Sequence, residues 1–162
     1  MPQQNLYTLA GALEYAERYC SKQERCQSEV RDKLAEKGLD SDLIEECIAE
    51  LICEGFINES RYADLFAVSK FHQNKWGKKK IALHLKRKEI SPLCIQHALN
   101  AIEPREYRET IAGLFEKKAA SLKGEKPYVI RQKTVTYLIG KGFEYDEIIN
   151  SANELKDDSQ DS

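Results

Sequence analysis

The segment VRDKLAEKGLDSDLIEECIAEL, from Val30 to Leu51, decides the fold, because it reads as two amphipathic helices joined at Gly38. Apolar residues recur at intervals of three and four on both sides of that glycine, as they do on one face of a helix. Gly38 is suited to end the first helix, and Asp40 is suited to cap the second. The segment therefore predicts a helix–turn–helix junction.

The same pattern occurs three times along the chain. When Leu34, Leu85 and Leu138 are aligned, apolar residues recur at matching positions across 22 residues without a gap. The copies are separated by 51 and 53 residues, and self-similarity at such a period is typical of repeat proteins. The sequence therefore predicts three copies of one helical unit.

The turn chemistry supports the alignment. In the second copy, Ser91 is the expected helix cap and Pro92 occupies the first helical position. In the third copy, Gly142 is expected to end the helix, although Glu144 is a poor cap for the next one. Glu89 stands where the other two copies have the stopping glycine.

A further segment of helical periodicity precedes each junction, at residues 9–21, 59–73 and 104–123. We therefore predict an all-α fold of nine helices, arranged as three tandem three-helix repeats that form an elongated, curved body. The predicted boundaries are 9–56 for the first repeat, 57–102 for the basic second repeat, 103–155 for the third and 156–162 for a solvated tail.

Composition restricts the class of protein. The 162 residues are 41% hydrophobic and 32% charged, which is too polar for a membrane protein and too apolar for a disordered one. The N-terminal residues lack the pattern of a secretion signal. The five cysteines are odd in number and lie within amphipathic patterns, so we expect reduced thiols and a cytoplasmic protein.

Charge is unevenly distributed behind a net value of −2. Residues 1–57 carry six Lys and Arg against twelve Asp and Glu, whereas residues 58–102 carry nine against three. Residues 103–162 are nearly balanced, with ten against twelve. This distribution indicates a local cationic surface and not a uniformly basic protein.

The most informative basic segment runs from Lys75 to Lys88, where seven of 14 residues are cationic and none is acidic. Ile81 and Leu85 are expected to face the core. The helical period then places cations seven residues apart on outward faces, Lys79 with Lys86 and Lys80 with Arg87. Nucleic-acid phosphate or an acidic protein surface would offset their repulsion; the alternative is a solvated helix face.

We predict that these cations contact a partner or nucleic acid: Lys75, Lys78, Lys79, Lys80, Lys86, Arg87 and Lys88. Arg61 is a weaker candidate, because it can pair locally. Further candidates lie in the third repeat, namely Arg131 and Lys133 together with Lys117, Lys118, Lys123 and Lys126. Trp76 either stacks on a base or a partner side chain, or packs under the start of the helix.

No catalytic constellation is present in the sequence, which lacks the nucleophile, phosphate-loop and metalloprotease motifs. Cys94 and His97, with His84 on the preceding helix, supply some zinc-binding residue types, but a tetrahedral site needs further ligands. No C-x-x-C pair favours a redox role. We therefore predict a protein that is not an enzyme, with no metal and no cofactor.

Taken together, several motifs resemble the RecX family of bacterial RecA regulators over about residues 10–155. They are Gly55-Phe-Ile-Asn-Glu-Ser-Arg-Tyr-Ala63, Trp76-Gly77 followed by Ile81-x-x-x-Leu85, and Leu138-x-x-Lys-Gly-Phe143. The sequence departs from that family at Glu89, where the family usually has glycine, and in its acidic first repeat.

The resemblance implies a protein that lodges in the groove of the RecA–DNA filament. There it hinders ATP hydrolysis, strand exchange and stimulated repressor cleavage. The expected partners are RecA and the single- or double-stranded DNA within the filament, with no membrane contact, and the expected state is a monomer. Two other functions remain open from the residues alone: direct DNA binding by helix-turn-helix units and a passive helical scaffold.

Overall fold

A computed structural model of the chain describes residues 5–161, which contain nine α-helices. The helices are α1 (Leu9–Lys22), α2 (Gln27–Glu36), α3 (Ser41–Cys53), α4 (Glu59–Asn74), α5 (Lys78–Arg87), α6 (Pro92–Asn100), α7 (Pro104–Ser121), α8 (Pro127–Gly140) and α9 (Tyr145–Gln160). Within residues 5–161 the only β-structure is an isolated bridge between Lys123 and Glu125. The predicted all-α fold with three tandem three-helix repeats is confirmed.

The described chain divides into two compact units. The first runs to Leu65 and includes Leu85–His97, and the second comprises Phe66–His84 and the chain from Ala98 onward. Residues of the middle repeat therefore contribute to both units, whereas the first and third repeats each belong to one.

The three predicted junctions share one main-chain geometry. Gly38, Glu89 and Gly142 have positive φ angles of 82°, 61° and 93°, in the left-handed region that commonly ends a helix. In each junction the next N–H donates to the carbonyl of the aligned leucine: Leu39 to Leu34 at 3.3 Å, Ile90 to Leu85 at 3.1 Å, and Phe143 to Leu138 at 3.2 Å. Glu89 thus adopts the conformation that glycine adopts in the other copies.

Capping of the third helix in each repeat follows the sequence. An Asp40 carboxylate oxygen accepts a hydrogen bond from the Leu43 N–H at 2.9 Å. The Ser91 hydroxyl accepts one from the Cys94 N–H at 3.3 Å. Glu144 makes no such bond with the start of α9, which confirms that it is a poor cap.

The first compact unit has a core built around the first repeat, where α1, α2 and α3 pack against one another. Its buried side chains are those of the predicted apolar stripes and their neighbours: Ala12, Ala16, Val30, Leu34, Leu39, Ile44, Cys47, Ile48, Leu51 and Ile57. Burial of this set supplies the main stabilising free energy of the unit, because apolar area removed from water contributes about 25 cal/mol per Å².

Tyr107 is central to the second unit, in which α7, α8 and α9 pack together. The side chain is 3% exposed, and its ring centroid lies 5.7 Å from Phe71 and 5.5 Å from Phe143. Its hydroxyl accepts from the Lys78 N–H at 3.1 Å and donates to a Glu144 carboxylate oxygen at 2.9 Å. One side chain on α7 therefore contacts α4, the start of α5 and the turn between α8 and α9.

The third repeat differs from the others in two helices. Helix α8 has 14 residues, whereas α2 and α5 have 10 each, so that α8 begins about one turn earlier in the repeat. Helix α9 continues to Gln160, and residues 156–160 of the predicted solvated tail are helical and exposed.

Candidate nucleic-acid interface

The basic segment from Lys75 to Lys88 covers the turn after α4, helix α5 and the turn that follows. Its exposed cations are Lys75, Lys79, Lys86 and Arg87. Its half-buried cations are Lys78, Lys80 and Lys88. None of the four exposed cations forms a salt bridge with another residue in the range 5–161. Their charge is therefore available to an anion from outside the chain.

The start of α5 is held by main-chain carbonyls from the end of α8. The Gly77 N–H donates to the Lys141 carbonyl at 2.8 Å, and the Lys79 N–H donates to the Gly142 carbonyl at 3.0 Å. These bonds satisfy N–H groups that the first turn of a helix leaves unpaired. A β-carbon on Gly77 would lie 2.3 Å from the Gly142 carbonyl carbon. Only glycine permits this approach, which explains why glycine precedes α5.

Trp76 is half-buried beside this contact. Its ring centroid lies 4.5 Å from that of His84 and 6.4 Å from that of Phe66. The ammonium groups of Lys70 and Lys80 lie 5.0 and 4.5 Å from its centroid, within the range of a cation–π interaction. Of the two roles predicted for Trp76, packing at the helix start agrees with these contacts. Lys80 is engaged by the indole and does not stand apart on an outward face.

Two other candidate lysines are engaged within their own units. The Lys78 ammonium lies 4.8 Å from the centroid of the Tyr107 ring. The Lys88 ammonium lies 3.3 Å from a Glu29 carboxylate oxygen, and the Lys88 carbonyl accepts from the Ser28 hydroxyl at 2.9 Å. Sequence patterning treated all seven cations alike, because it contains no information on these distant partners.

One contact recurs between consecutive repeats. Alignment of the three leucines places Lys88 and Lys141 at the same position of the repeat. The carbonyl of each accepts a hydrogen bond from the start of the second helix in the preceding repeat, from the Ser28 hydroxyl and the Gly77 N–H. The apolar pattern gave no sign of this contact, because a hydroxyl and main-chain groups make it.

Arg61 is engaged locally, as the sequence allowed. Its Nε lies 2.5 Å from a Glu24 carboxylate oxygen, and its Nη2 donates to the Gly55 carbonyl at 2.9 Å. Both contacts lie within the first compact unit. They favour a structural role for this side chain over contact with a partner.

The two candidates on α8 are not brought together. Lys133 pairs with Glu125 at 2.9 Å and lines a groove with Tyr137. Arg131 lines a different cavity, of about 980 Å³, whose other lining residues include Phe115 and Tyr128. The sequence named both as further candidates, and the structure places their side chains in different grooves.

The surroundings of the cysteines and histidines bear on thiol reactivity and on metal binding. Burial raises the pKa of the Cys20 and Cys47 thiols to about 11, which disfavours the reactive thiolate. His97, considered above as a zinc ligand, has its Nδ1 at 3.3 Å from an Asp64 carboxylate oxygen. In the described part of the chain no group of three His, Cys, Asp or Glu residues is arranged to hold a metal. In the same range, every helix is too short or too polar to span a bilayer.

Comparison with protein families gives three matches in chain order. The family described as RecX, first three-helix domain, matches residues 12–51. The second and third three-helix domains of RecX match residues 58–99 and 106–149. Together these matches cover most of the chain.

Curated relatives carry the same family name. The Regulatory protein RecX of Bacillus cytotoxicus is 31% identical over 144 residues, covering 89% of this chain and 53% of the relative. That of Clostridium perfringens strain 13 is 32% identical over 124 residues, covering 75% of this chain and 58% of the relative. The chain therefore spans little more than half the length of these relatives.

Solved structures show the same fold. The crystal structure of RecX from Lactobacillus salivarius is similar with a TM-score of 0.84 at 30% identity, covering 91% of this chain and 96% of the other. A second crystal structure, of regulatory protein RecX, has a TM-score of 0.78 at 23% identity, covering 88% of this chain and 73% of the other.

Proposed function

Because this chain belongs to the RecX family of regulatory proteins, we propose that it regulates the RecA recombinase, mainly as an inhibitor. It binds in the helical groove of the RecA–DNA filament and slows ATP hydrolysis, strand exchange and the coprotease activity of the filament. The observation that carries the proposal is the succession of three RecX domains in order along the chain. Regulation of this kind requires binding and no catalytic group.

Phosphate contacts come from the four exposed cations of the basic segment, Lys75, Lys79, Lys86 and Arg87. Their exposure and their lack of salt bridges within residues 5–161 support this assignment, since free cations gain most from releasing the counterions of DNA. Lys78, Lys80 and Lys88 hold the segment in place through Tyr107, Trp76 and Glu29. Their contribution to binding is therefore indirect.

The protein contact in this proposal involves the acidic first repeat, which carries twice as many Asp and Glu as Lys and Arg over residues 1–57. Such a surface complements a basic patch on RecA. As a monomer in the cytoplasm, the chain spans neighbouring RecA subunits, and its modest contacts reinforce one another because they are joined on one chain.

An ATPase assay on preformed RecA filaments tests the function. Filaments on single-stranded DNA are titrated with the purified protein at constant salt, and phosphate release and strand exchange are followed. We expect both rates to fall as the protein approaches the concentration of RecA. Unchanged rates at several-fold excess would show that the proposed function is wrong.

Direct binding of naked DNA is the second candidate, because phosphates of naked DNA can neutralise the four exposed cations without RecA. Parallel titrations of naked DNA and of filaments separate the two. Weak, strongly salt-dependent binding to naked DNA beside tight binding to filaments supports RecA regulation. Equal affinity for both would favour a general DNA-binding protein.

A further inference from the structure

A groove lies between α7 and α8 in the third repeat. It is a cavity of about 480 Å³ lined by Lys118, Leu122, Gln132, Lys133, Thr136 and Tyr137. A smaller cavity of about 190 Å³ adjoins it and shares Lys118 and Tyr137. The two cavities that share these residues are together called the Tyr137 groove.

The charge of the Tyr137 groove is cationic. Three lysines line it, Lys117, Lys118 and Lys133, and no acidic residue does. Glu125 offsets one of them by pairing with Lys133 at 2.9 Å. Within residues 5–161 neither Lys117 nor Lys118 forms a salt bridge. The groove is therefore complementary to an anion.

An aromatic ring lies at the centre of these charges. The Tyr137 side chain is 38% exposed, and the Lys118 and Lys141 ammonium groups lie 4.8 and 5.8 Å from its centroid. Leu114 and Leu122 add apolar walls on the two sides. The ligand that fits therefore has negative charge and flat apolar faces next to each other.

Single-stranded nucleic acid has this combination, since its bases are free to stack and its phosphates flank them. A duplex exposes phosphates but keeps the faces of its bases stacked inside, so the ring would gain nothing from it. An acidic peptide supplies carboxylates without flat faces, and carboxylates are matched best by the arginine fork, whereas only lysines line this groove.

The repeat register places a related pair of residues in the second repeat. When Leu85 and Leu138 are aligned, Lys133 falls on Lys80 and Tyr137 falls on His84, the residues that surround Trp76 in the second repeat. In the first repeat the position of Lys133 is held by an acid, Glu29. The same helix face thus carries a cation and an aromatic ring in two consecutive repeats, whereas in the first repeat it carries Glu29 and, at the position of Tyr137, Lys33.

We infer that the Tyr137 groove is a contact site for single-stranded nucleic acid. A base takes the place of the Lys118 ammonium on the Tyr137 ring, and Lys117 and Lys118 contact the adjacent phosphates. The inference rests on the proposed function for the presence of DNA near the protein, and it deepens that function by assigning a DNA contact to the third repeat.

Fluorescence anisotropy with a labelled oligothymidylate and the full chain tests the site. We expect Tyr137→Leu to weaken binding at least about fivefold, the lower limit for loss of one stacked base, and Tyr137→Phe to retain it. The double variant K117Q/K118Q should reduce the slope of log affinity against log salt by about 1.4. Tyr128→Leu is the matched control, because Tyr128 is 67% exposed and lines the separate Arg131 cavity.

The inference is overturned if the wild-type chain does not bind the oligonucleotide, or if Tyr137→Leu binds as tightly as the wild type while remaining folded by circular dichroism. Polyglutamate is added as a competitor. If Tyr137→Leu weakens polyglutamate binding as strongly as it weakens oligothymidylate binding, the groove is assigned to an acidic peptide instead. If this inference alone is wrong, the wild-type protein still inhibits the filament. If the proposed function is wrong, the wild-type protein does not inhibit the filament, but its binding to the oligonucleotide can still be measured.

Discussion

At the scale of the residue, Glu89 occupies a backbone conformation that its counterparts reach with glycine. Its φ of 61° lies in the left-handed region, where a β-carbon costs about 1–2 kcal/mol. The carboxylate lies 3.7 Å from an Arg31 guanidinium nitrogen, but the side chain is 72% exposed, and ion pairs in such positions contribute little. Glu89 therefore lowers the free energy of unfolding relative to glycine at this position, and its ion pair with Arg31 does not offset the loss.

Glu89→Gly should raise the free energy of unfolding by about 0.5–1 kcal/mol, because glycine adopts this φ without a steric cost. Urea denaturation followed by circular dichroism measures the change. Glu89→Ala is the control, since it removes the carboxylate but keeps the β-carbon, and it should not stabilise the protein. Equal stabilisation by both variants would attribute the effect to charge.

Gly77→Ala should lower the free energy of unfolding by about 1–3 kcal/mol, the range for overpacking a close contact. The added methyl would lie 2.3 Å from the main chain at Gly142 and Phe143, where no flexible side chain can move away. Gly113→Ala is the matched control, because Gly113 lies inside α7 with nothing within 4 Å of an added β-carbon. That variant should be stabilising by about 0.5–1 kcal/mol, and destabilisation of both to the same extent would contradict the proposed contact.

At the scale of the element, α5 combines an anchored start with exposed cations. Its first N–H groups are bonded to carbonyls at the end of α8, and Trp76 and Tyr107 engage the lysines nearest to that contact. Lys79, Lys86 and Arg87 remain exposed along the helix. Rigid presentation of charge favours binding, because less side-chain and backbone freedom is lost on association.

The triple variant K79E/K86E/R87E should lose most filament inhibition in the ATPase assay, since three attractive contacts with phosphate become repulsive. Stability should fall by no more than about 1 kcal/mol, because the side chains are exposed and only Lys86 and Arg87 favour the helix C-terminus. The control R105E/R108E/K156E makes the same change in charge at exposed residues outside both the basic segment and the first repeat. Comparable loss of inhibition in the control would indicate a nonspecific effect of net charge.

At the scale of the whole molecule, each compact unit contains a buried tyrosine bonded to a carboxylate. The Tyr62 hydroxyl donates to a Glu29 oxygen at 3.1 Å in the first unit, and Tyr107 donates to Glu144 at 2.9 Å in the second. Burial is the main cause that raises the pKa of both phenols well above the ordinary value, and the neighbouring carboxylates add to it. Both units therefore depend on phenols that stay protonated.

The protein should lose stability above about pH 10, because the unfolded state releases the phenolic protons before the folded state does. The stabilising contribution is complete below that pH and decreases by up to about 1.4 kcal/mol per pH unit for each tyrosine. Urea titrations between pH 8 and pH 11 measure the decrease. The variant Y62F/Y107F should show a shallower dependence on pH, and an unchanged slope would exclude these two phenols as the cause.

The sequence by itself determined where the helices meet at the three junctions and that three copies follow one another. Gly38, Asp40, Ser91 and Gly142 act through bonds that span at most five residues, so their effects can be predicted locally. Even the substitution at Glu89 left the junction in place, because the surrounding pattern imposes the conformation that glycine would have adopted.

Only the tertiary structure decided which cations remain available to a ligand. Lys80 and Arg87 stand seven residues apart on one predicted row, yet Lys80 lies against Trp76 while Arg87 is exposed. Lys78 contacts Tyr107, 29 residues further along the chain. Helical periodicity places a side chain on a face but does not reveal what packs there, because distant segments supply those contacts only once the chain has folded.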